Sequence, residues 1–148
     1  MPHELRHDSY IFSDNPALLD LTTIHAFLTN SYWSPGIARE TVERATRNSI
    51  PFGVYDTSAS TPAQVGFARI ITDRATFAYL ADVFILEAHR RRGLSKLLIQ
   101  HILSHPDLQG LRRVALMTRD AQGLYQQFGF TFLDDPRRFM ERRALRPV

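Results

Sequence analysis

The segment Ala78–Ile99 constrains the fold most, because three kinds of local structure follow one another in it. Residues Ala78–Leu86 read as a buried strand, since all of them except Asp82 are apolar or small. A basic turn, Arg90–Gly93, comes after a short polar link. The helix that follows has one apolar face at helical spacing, formed by Leu94, Leu97, Leu98 and Ile102. The sequence therefore predicts a strand–turn–helix unit.

This unit has the properties of an anion site. The first main-chain N–H groups of a helix lack partners within the helix, and the helix dipole is positive at that end. Four cationic side chains lie at the turn with no acid between them: Arg90, Arg91, Arg92 and Lys96. We expect the turn to bind a phosphate-bearing ligand.

Composition places the unit in a soluble protein. The chain has 148 residues, of which 44% are hydrophobic and 22% charged, so we expect one domain spanning 1–148. No apolar run is long enough to cross a bilayer, and the polar N-terminus does not resemble a signal peptide. The absence of cysteine excludes disulfides and cysteine nucleophiles. We expect a cytoplasmic protein with no membrane partner.

The remaining chain predicts an α/β fold with a mixed sheet. The expected strands are 8–13, 50–56, 64–72, 77–86, 113–118, 130–133 and 139–143, and the expected helices are 16–29, 38–48, the one starting near 94, and 121–129. Three successive strands with short links favour an antiparallel meander, and strand–helix–strand implies a parallel pair. About four helices would flank the sheet. Leu18 is expected to be buried by the first of them.

Several common site types are absent from the sequence. Gly93 stands alone, so neither a dinucleotide fingerprint nor a P-loop is present, and there is no Gly-x-Ser-x-Gly motif. The six histidines have no zinc-like spacing, and we expect no metal. The net charge is +3, but aromatic residues do not interleave with the basic clusters. We therefore do not expect a nucleic-acid partner.

Two spaced motifs resemble a known superfamily. Arg90-x-x-Gly93-x-Ser95 at a helix start is similar to the pyrophosphate-binding signature of the GNAT superfamily of acyl-CoA-dependent N-acetyltransferases. Ala121-x-x-x-Tyr125-x-x-x-Gly129-Phe130 resembles its second motif, a helix that carries a tyrosine and ends in Gly-Phe. The order of elements along nearly the whole chain is also similar to that of the GNAT fold.

The resemblance implies roles for individual residues. Phe84 and Ile85 would contact the pantetheine and the thioester carbonyl through the main chain, and Tyr125 would protonate the departing thiolate. The residues implied around the pyrophosphate are Arg90, Arg91, Arg92, Gly93, Leu94, Ser95 and Lys96. The chain departs from the family pattern at Glu87, Ser95 and Thr118, where proline, glycine or alanine, and asparagine are common.

The acceptor side is less determined by the sequence. Asp82 is a candidate general base, directly or through water, because a carboxylate in an apolar strand is costly unless it is paired or hydrogen-bonded. An equally weighted alternative is a structural carboxylate bonded to an arginine such as Arg69. Tyr32 and Trp33, beside turn residues, and Tyr79 are candidates for lining the acceptor pocket.

We therefore expect transfer of an acetyl group from acetyl-CoA, as co-substrate, to a primary amine by direct attack in a ternary complex. The amine belongs to a small molecule or a peptide. Two alternatives stay open: a non-catalytic acyl-CoA-binding sensor module, and an RNA-directed (aminoacyl-RNA) acetyltransferase. The oligomeric state is not determined by the sequence, and a homodimer remains among the expectations.

Overall fold

The computed structural model describes residues 1–145, which form one mixed sheet with four α-helices. Residues 146–148, the end of the predicted domain, lie outside this range. The strands are Glu4–His7 (β1), Tyr10–Ser13 (β2), Ile50–Asp56 (β3), Ala63–Thr72 (β4), Phe77–Ile85 (β5) and Arg113–Leu116 (β6). The helices are Leu21–Thr29 (α1), Arg39–Arg47 (α2), Leu94–Leu103 (α3) and Gln122–Gln126 (α4).

The sheet confirms the predicted topology. Its strand order is β1-β2-β3-β4-β5-β6, so each strand lies beside its neighbours in the chain. The pairs from β1 to β5 are antiparallel, whereas β5 and β6 are parallel, with Phe77 opposite Arg113 and Leu80 opposite Leu116. The parallel pair follows from α3, which carries the chain back to the start of the next strand.

Two core clusters lie on opposite faces of the sheet. Phe67 and Ala68 are neighbours in β4, so their side chains point to opposite faces. Phe67 packs with Ile24 and Leu28 of α1 in one cluster. Ala68 belongs to the other cluster, which contains the apolar face of α3 and Tyr125 of α4. The end of β5 contributes to both, because Phe84 lies in the first cluster and Ile85 in the second.

The helix predicted from residue 16 to residue 29 is divided in two. Asn15 caps a short 3₁₀ turn at Pro16–Leu18, and α1 begins separately after Asp20. The Asp20 side chain accepts hydrogen bonds from the main-chain N–H groups of Thr22 and Thr23, which defines the helix start. The prediction that Leu18 is buried is wrong, because the 3₁₀ turn leaves it 46% exposed.

The ends of the sheet also differ from expectation. Strand β1, which the sequence did not predict, pairs with β2 through a tight turn at Asp8. The two predicted closing strands, 130–133 and 139–143, are not strands within residues 1–145. A 3₁₀ turn at Pro136–Arg138, capped by the Asp135 side chain, interrupts this region. The outer edge of β6 is therefore unpaired in the described chain.

Candidate active site

A bulge in β5 opens the sheet at the centre of the site. Phe67 lies opposite Phe84, but Arg69 lies opposite Ala81, so β5 has one extra residue in this interval. Asp82, within the bulge, has a positive φ of 57°. This conformation is uncommon for a residue other than glycine, and such residues cluster at functional sites.

Beyond the bulge, one side of β5 has no strand beside it. The paired residues of β6 end at Leu116, opposite Leu80, so the last part of β5 extends past its parallel neighbour. The N–H of Leu86 donates to the carbonyl oxygen of Val65 in β4. Since N–H directions alternate along a strand, the N–H of Ile85 points the other way, into the gap beside β6. This main-chain group is placed where a ligand in the gap can reach it.

The turn after β5 aims the start of α3 at the same gap. A 3₁₀ turn at Glu87–His89 is followed by two residues with positive φ, Arg91 at 64° and Gly93 at 75°. A Cβ atom added at Gly93 would meet nothing within 4 Å, so the glycine serves the backbone conformation and not close packing. Helix α3 then begins at Leu94.

The N-terminus of α3 has free donors, as the sequence predicted. The main-chain N–H groups of Leu94, Ser95 and Lys96 have no hydrogen-bond partner within residues 1–145, and Gly93 offers no capping side chain. The first turn of the helix contains no acid. A cleft of about 190 Å³ lies here, lined by Ile85, His89, Arg90, Arg91, Gly93, Leu94, Ser95, Lys96 and Leu124. Its donors and cations suit a phosphate group.

The three arginines of the turn have different surroundings. Arg90 Nε donates to the main-chain oxygen of Ile85 at 2.9 Å, which ties the turn to the strand end. Arg92 Nη1 donates to the hydroxyl of Tyr10 at 2.9 Å, and this hydroxyl lies 2.8 Å from Nδ1 of His89. Arg92 is not among the residues that line the cleft. Arg91 is exposed and makes no side-chain hydrogen bond within residues 1–145.

Tyr125 lies next to the cleft on α4. The residue is buried, and its ring meets that of Phe130 edge to face with centroids 5.8 Å apart. Burial, with a smaller contribution from Tyr32, raises the pKa of Tyr125 to about 12. The hydroxyl is therefore protonated at neutral pH. Thr118 Oγ1 accepts from the N–H of Ala121 and so holds the start of this helix, where the resemblance led us to expect asparagine.

Asp82 joins the bulge to two other parts of the chain. Its Oδ2 accepts from Arg69 Nε at 2.6 Å, and its Oδ1 accepts from Trp33 Nε1 at 2.9 Å. Arg69 also donates to Ser49 Oγ at 3.1 Å. The hydrogen bond between Asp82 and Arg69, which the structural interpretation of Asp82 predicted, is thus present. Each carboxylate oxygen has two lone pairs, so both oxygens keep the capacity to accept one more hydrogen bond.

Aromatic side chains of α1 and of the α1–α2 loop pack beside the end of β5. Phe27 stacks on Phe84 at 4.0 Å, and Trp33 lies 6.1 Å from Phe27. Tyr32 meets Trp33 edge to face at 5.0 Å. Tyr79 is half-buried in β5, and burial followed by the charge of Asp82 raises its pKa. The predicted pocket residues therefore gather around the bulge.

Arg119 is a site residue that sequence reasoning missed. Its guanidinium carbon lies 3.8 Å from the centroid of the Tyr32 ring, and the main-chain N–H of Arg119 donates to the Tyr32 hydroxyl at 3.4 Å. The contact connects the segment after β6 with the α1–α2 loop across the gap. No spacing rule could have found it, because the partners are 87 residues apart.

Within residues 1–145, no group of three or more His, Cys, Asp or Glu side chains could hold a metal ion. None of the helices in that range is both long enough and apolar enough to span a bilayer.

A larger cleft of about 270 Å³ lies at the opposite end of the β5–β6 pair, lined by Thr76, Phe77, Arg112 and Arg113. None of these four residues is among the candidate site residues predicted from the sequence.

Comparisons with known proteins agree with this geometry. A sequence profile described as "Acetyltransferase (GNAT) domain" matches residues 52–132. A candidate acetyltransferase of Gibberella zeae is 34% identical over 143 aligned residues, which cover 84% of this chain and 80% of that protein.

Solved structures give the same result. A candidate GNAT acetyltransferase from Xanthomonas campestris pv. campestris superposes with a TM-score of 0.87 at 45% identity, covering 95% of each chain. NAA60 of Arabidopsis thaliana, solved with a bisubstrate analogue, shares the fold with a TM-score of 0.64 at 18% identity, covering 82% of this chain and 83% of its own. The chain therefore belongs to the GNAT family of acetyltransferases.

Proposed function

We propose that the protein is an N-acetyltransferase that moves the acetyl group of acetyl-CoA to a primary amine by direct attack within a ternary complex. One observation carries the proposal. The 190 Å³ cleft is lined by Ile85, by the residues whose N–H groups are free at the start of α3, and by Leu124, the neighbour of Tyr125 in α4. An anion site, an oxyanion donor and an acid are what acyl transfer from a phosphate-bearing thioester requires.

The donor site is assigned to the turn and the strand end. The N–H groups of Leu94, Ser95 and Lys96 would bind the pyrophosphate, helped by the side chains of Arg91 and Lys96. The free side of β5 at Phe84 and Ile85 would hold the pantetheine arm. Acetyl-CoA, when bound, supplies an acetyl group activated as a thioester.

Three groups of the chain would remove the amine proton, stabilise the oxyanion and protonate the leaving sulfur. The acceptor nitrogen must lose a proton to expose its lone pair, and Asp82, directly or through water, accepts that proton. The N–H of Ile85 donates a hydrogen bond to the acetyl oxygen as negative charge develops there. The new C–N bond replaces the C–S bond, and Tyr125 donates its hydroxyl hydrogen to the leaving sulfur.

The high pKa of Tyr125 refines its role. A pKa of about 12 keeps the hydroxyl protonated and able to donate. Tyr125 therefore acts first as a hydrogen-bond donor to the sulfur, and the proton moves as the thiolate charge develops.

The acceptor side favours an amine on an apolar or aromatic group. Trp33 and Tyr79 provide aromatic surface, and Asp82 provides negative charge that attracts an ammonium group before it loses its proton. Both small amines and peptide N-termini meet this description.

The test combines binding with turnover. Calorimetry with acetyl-CoA should show binding, and thiol release should appear with at least one class of primary amine in a panel of aliphatic, aromatic and peptide amines. Absence of acetyl-CoA binding would remove the donor assignment. Binding with no thiol release across the panel would favour the non-catalytic acyl-CoA-binding module instead.

A further inference from the structure

A buried tyrosine of β2 contacts two residues of the basic turn. Tyr10 is 5% exposed, and its hydroxyl lies 2.9 Å from Arg92 Nη1 and 2.8 Å from His89 Nδ1. The rings of Tyr10 and His89 meet edge to face with centroids 5.8 Å apart. His89 also lines the 190 Å³ cleft at the start of α3. A side chain from the second strand of the sheet therefore reaches the wall of the proposed donor site.

We propose that Tyr10 is a positioning residue of the donor site: together with Arg92, it fixes the His89 ring with the ring hydrogen on Nε2, and this N–H donates to a phosphate of the ligand bound at the start of α3. The inference rests on the proposed function, because it concerns the site assigned there to the pyrophosphate. It adds one side-chain donor, His89, and a residue that controls this donor from β2. Neither was among the candidate site residues predicted from the sequence.

The direction of each hydrogen bond follows from Arg92. A guanidinium group has only donors, so the Tyr10 hydroxyl accepts from Arg92. The hydroxyl then has its own hydrogen left to donate, and its other partner within residues 1–145 is His89 Nδ1. Nδ1 is therefore the unprotonated nitrogen of the ring, which places the ring hydrogen on Nε2.

The opposite tautomer would leave a buried hydroxyl hydrogen unpaired. If Nδ1 carried the hydrogen, the Tyr10 hydroxyl would accept from both His89 and Arg92, and its own hydrogen would have no acceptor within residues 1–145. Leaving a buried polar group unpaired costs free energy, and Tyr10 is almost fully buried. The charge of Arg92 also polarises the hydroxyl and strengthens the bond that it donates to His89.

The second ring nitrogen of His89 is available to a ligand. Nε2 has no hydrogen-bond partner within residues 1–145, because the hydrogen bond of this ring uses Nδ1. The residues whose main-chain N–H groups are free at the start of α3 line the same cleft. Nε2–H adds a side-chain donor to this set. Since Tyr10 holds the ring in one orientation before binding, less freedom is lost when the ligand arrives.

The charges near His89 favour an anionic ligand. Asp56 lies opposite Tyr10 in β3, and Glu87 starts the same 3₁₀ turn as His89. Against these two acids, the basic turn and the first turn of α3 carry four cations: Arg90, Arg91, Arg92 and Lys96. The excess of positive charge attracts a phosphate group, and the neutral His89 ring supplies a directed hydrogen bond to it.

A first experiment observes the tautomer in the ligand-free protein. Long-range proton–nitrogen correlation spectra of the isotope-labelled full chain, recorded at mildly alkaline pH, should show His89 with a protonated Nε2 and an unprotonated Nδ1 that accepts a hydrogen bond. The signals absent from His89→Ala identify the residue. Tyr10→Phe should remove the hydrogen-bond shift of Nδ1, whereas Tyr55→Phe, which removes another buried hydroxyl, should not. A protonated Nδ1 in the wild-type chain, or an Nδ1 resonance that Tyr10→Phe leaves unchanged, would overturn the proposal.

A second experiment asks whether Tyr10 acts through His89. Calorimetry should show that Tyr10→Phe weakens acetyl-CoA binding about tenfold, because a well-placed hydrogen bond to a charged group is lost. In a His89→Ala background, the same change should weaken binding by less than about twofold, because the group that Tyr10 positions is gone. Equal losses in the two backgrounds would show a general structural effect and would contradict the proposal.

Inorganic pyrophosphate separates this inference from the proposed function. If the wild-type chain does not bind acetyl-CoA, the donor assignment fails. Pyrophosphate should still shift the Nε2–H signal of His89 in the wild-type chain, and it should shift this signal less in Tyr10→Phe. An Nε2–H signal that neither acetyl-CoA nor pyrophosphate moves would overturn the inference.

Discussion

Arg69 Nε lies 2.6 Å from Asp82 Oδ2, and this pair locks the bulge of β5 onto β4. The Arg69 side chain is 17% exposed and that of Asp82 is 11% exposed, so solvent screens the pair weakly. The proposed acceptor side is organised around this contact, since the other oxygen of Asp82 accepts a hydrogen bond from Trp33 Nε1.

Removing Arg69 should destabilise the fold. Arg69→Met leaves a mostly buried carboxylate without its charge partner, and we expect a loss of about 2–4 kcal/mol in the free energy of unfolding. The control is Arg39→Met, which breaks the exposed pair with Glu43 and should cost less than about 1 kcal/mol. Urea unfolding measures both, and equal losses would contradict the structural role.

Removing the Tyr125 hydroxyl should slow chemistry without preventing donor binding. Tyr125→Phe is expected to lower kcat by about a hundredfold or more, with little change in acetyl-CoA affinity. Tyr55→Phe is the matched control, because Tyr55 is also buried and its hydroxyl has no hydrogen-bond partner within residues 1–145. Removing that hydroxyl should leave both stability and kcat unchanged or improved. Equal kcat in the Tyr125 variant and wild type would remove the donor role.

The raised pKa of Tyr125 predicts that the folded protein loses stability at alkaline pH. Its folded pKa of about 12 lies above the ordinary value of 10, so the unfolded chain loses this proton first. Stability is therefore fully present below pH 10 and falls as pH rises toward 12, by up to about 3 kcal/mol from this group. Denaturant unfolding at several pH values should show the fall, and Tyr125→Phe should reduce it.

The conformation of Gly93 should matter for the anion site. Gly93→Ala strains a φ of 75° and turns the first N–H groups of α3, so acetyl-CoA should bind about tenfold or more weakly. Gly110 has a φ of 77° and the same open surroundings, but lies in another loop. Gly110→Ala should lower the free energy of unfolding by about as much as Gly93→Ala does, because both changes strain a positive φ. It should leave acetyl-CoA binding unchanged. Equal binding by the two variants would contradict the assignment.

The neighbouring arginines should differ in their contribution to donor binding. Arg91 lines the cleft, whereas Arg92 is held by Tyr10. Arg91→Ala should weaken acetyl-CoA binding several-fold and reduce its salt dependence, and Arg92→Ala should have a smaller effect. Calorimetry at two salt concentrations measures the acetyl-CoA affinity of both variants. A larger loss of affinity for Arg92→Ala than for Arg91→Ala would show that the turn rearranges when the ligand binds.

A buried histidine should make the fold acid-sensitive. Burial is the main cause that lowers the pKa of His101 to about 4 from its usual 6.5, and His3 stacks on its ring at 4.3 Å. The unfolded chain binds this proton first, so stability is present above pH 6.5 and falls by about 3 kcal/mol as pH drops to 4. His101→Gln should flatten this slope in urea unfolding, and exposed His7→Gln should not.

Much of the site could be predicted because its signals are local. The spacing of Leu94, Leu98 and Ile102 defines one face of α3, and Gly93 marks its start, so the free N–H groups at this helix end could be expected from a few adjacent residues. The parallel pairing of β5 and β6 followed from the intervening helix. The predicted start of α1 was less exact, because the chain has two possible N-cap residues there. Asn15 caps only a 3₁₀ turn, and Asp20 caps α1 itself.

Other parts of the site could not be predicted, because their partners are far apart in the chain. The sequence left Asp82 with two interpretations, and it could not show that Trp33, 49 residues away, binds the same carboxylate. It treated Arg90, Arg91 and Arg92 alike, although Tyr10 engages one of them from 82 residues away. It also predicted closing strands whose neighbour is absent from the described chain.

By itself, then, the sequence determined the strand–turn–helix of Ala78–Ile99, the antiparallel meander of β3, β4 and β5 with its parallel neighbour β6, and the helix that carries Tyr125. These rest on periodicity, capping and glycine conformation, which act over a few residues. Only the tertiary structure decided the β5 bulge, the partners of Asp82, the different roles of the arginines and the free edge of β6. Those depend on register and packing between distant segments, and no local pattern encodes them.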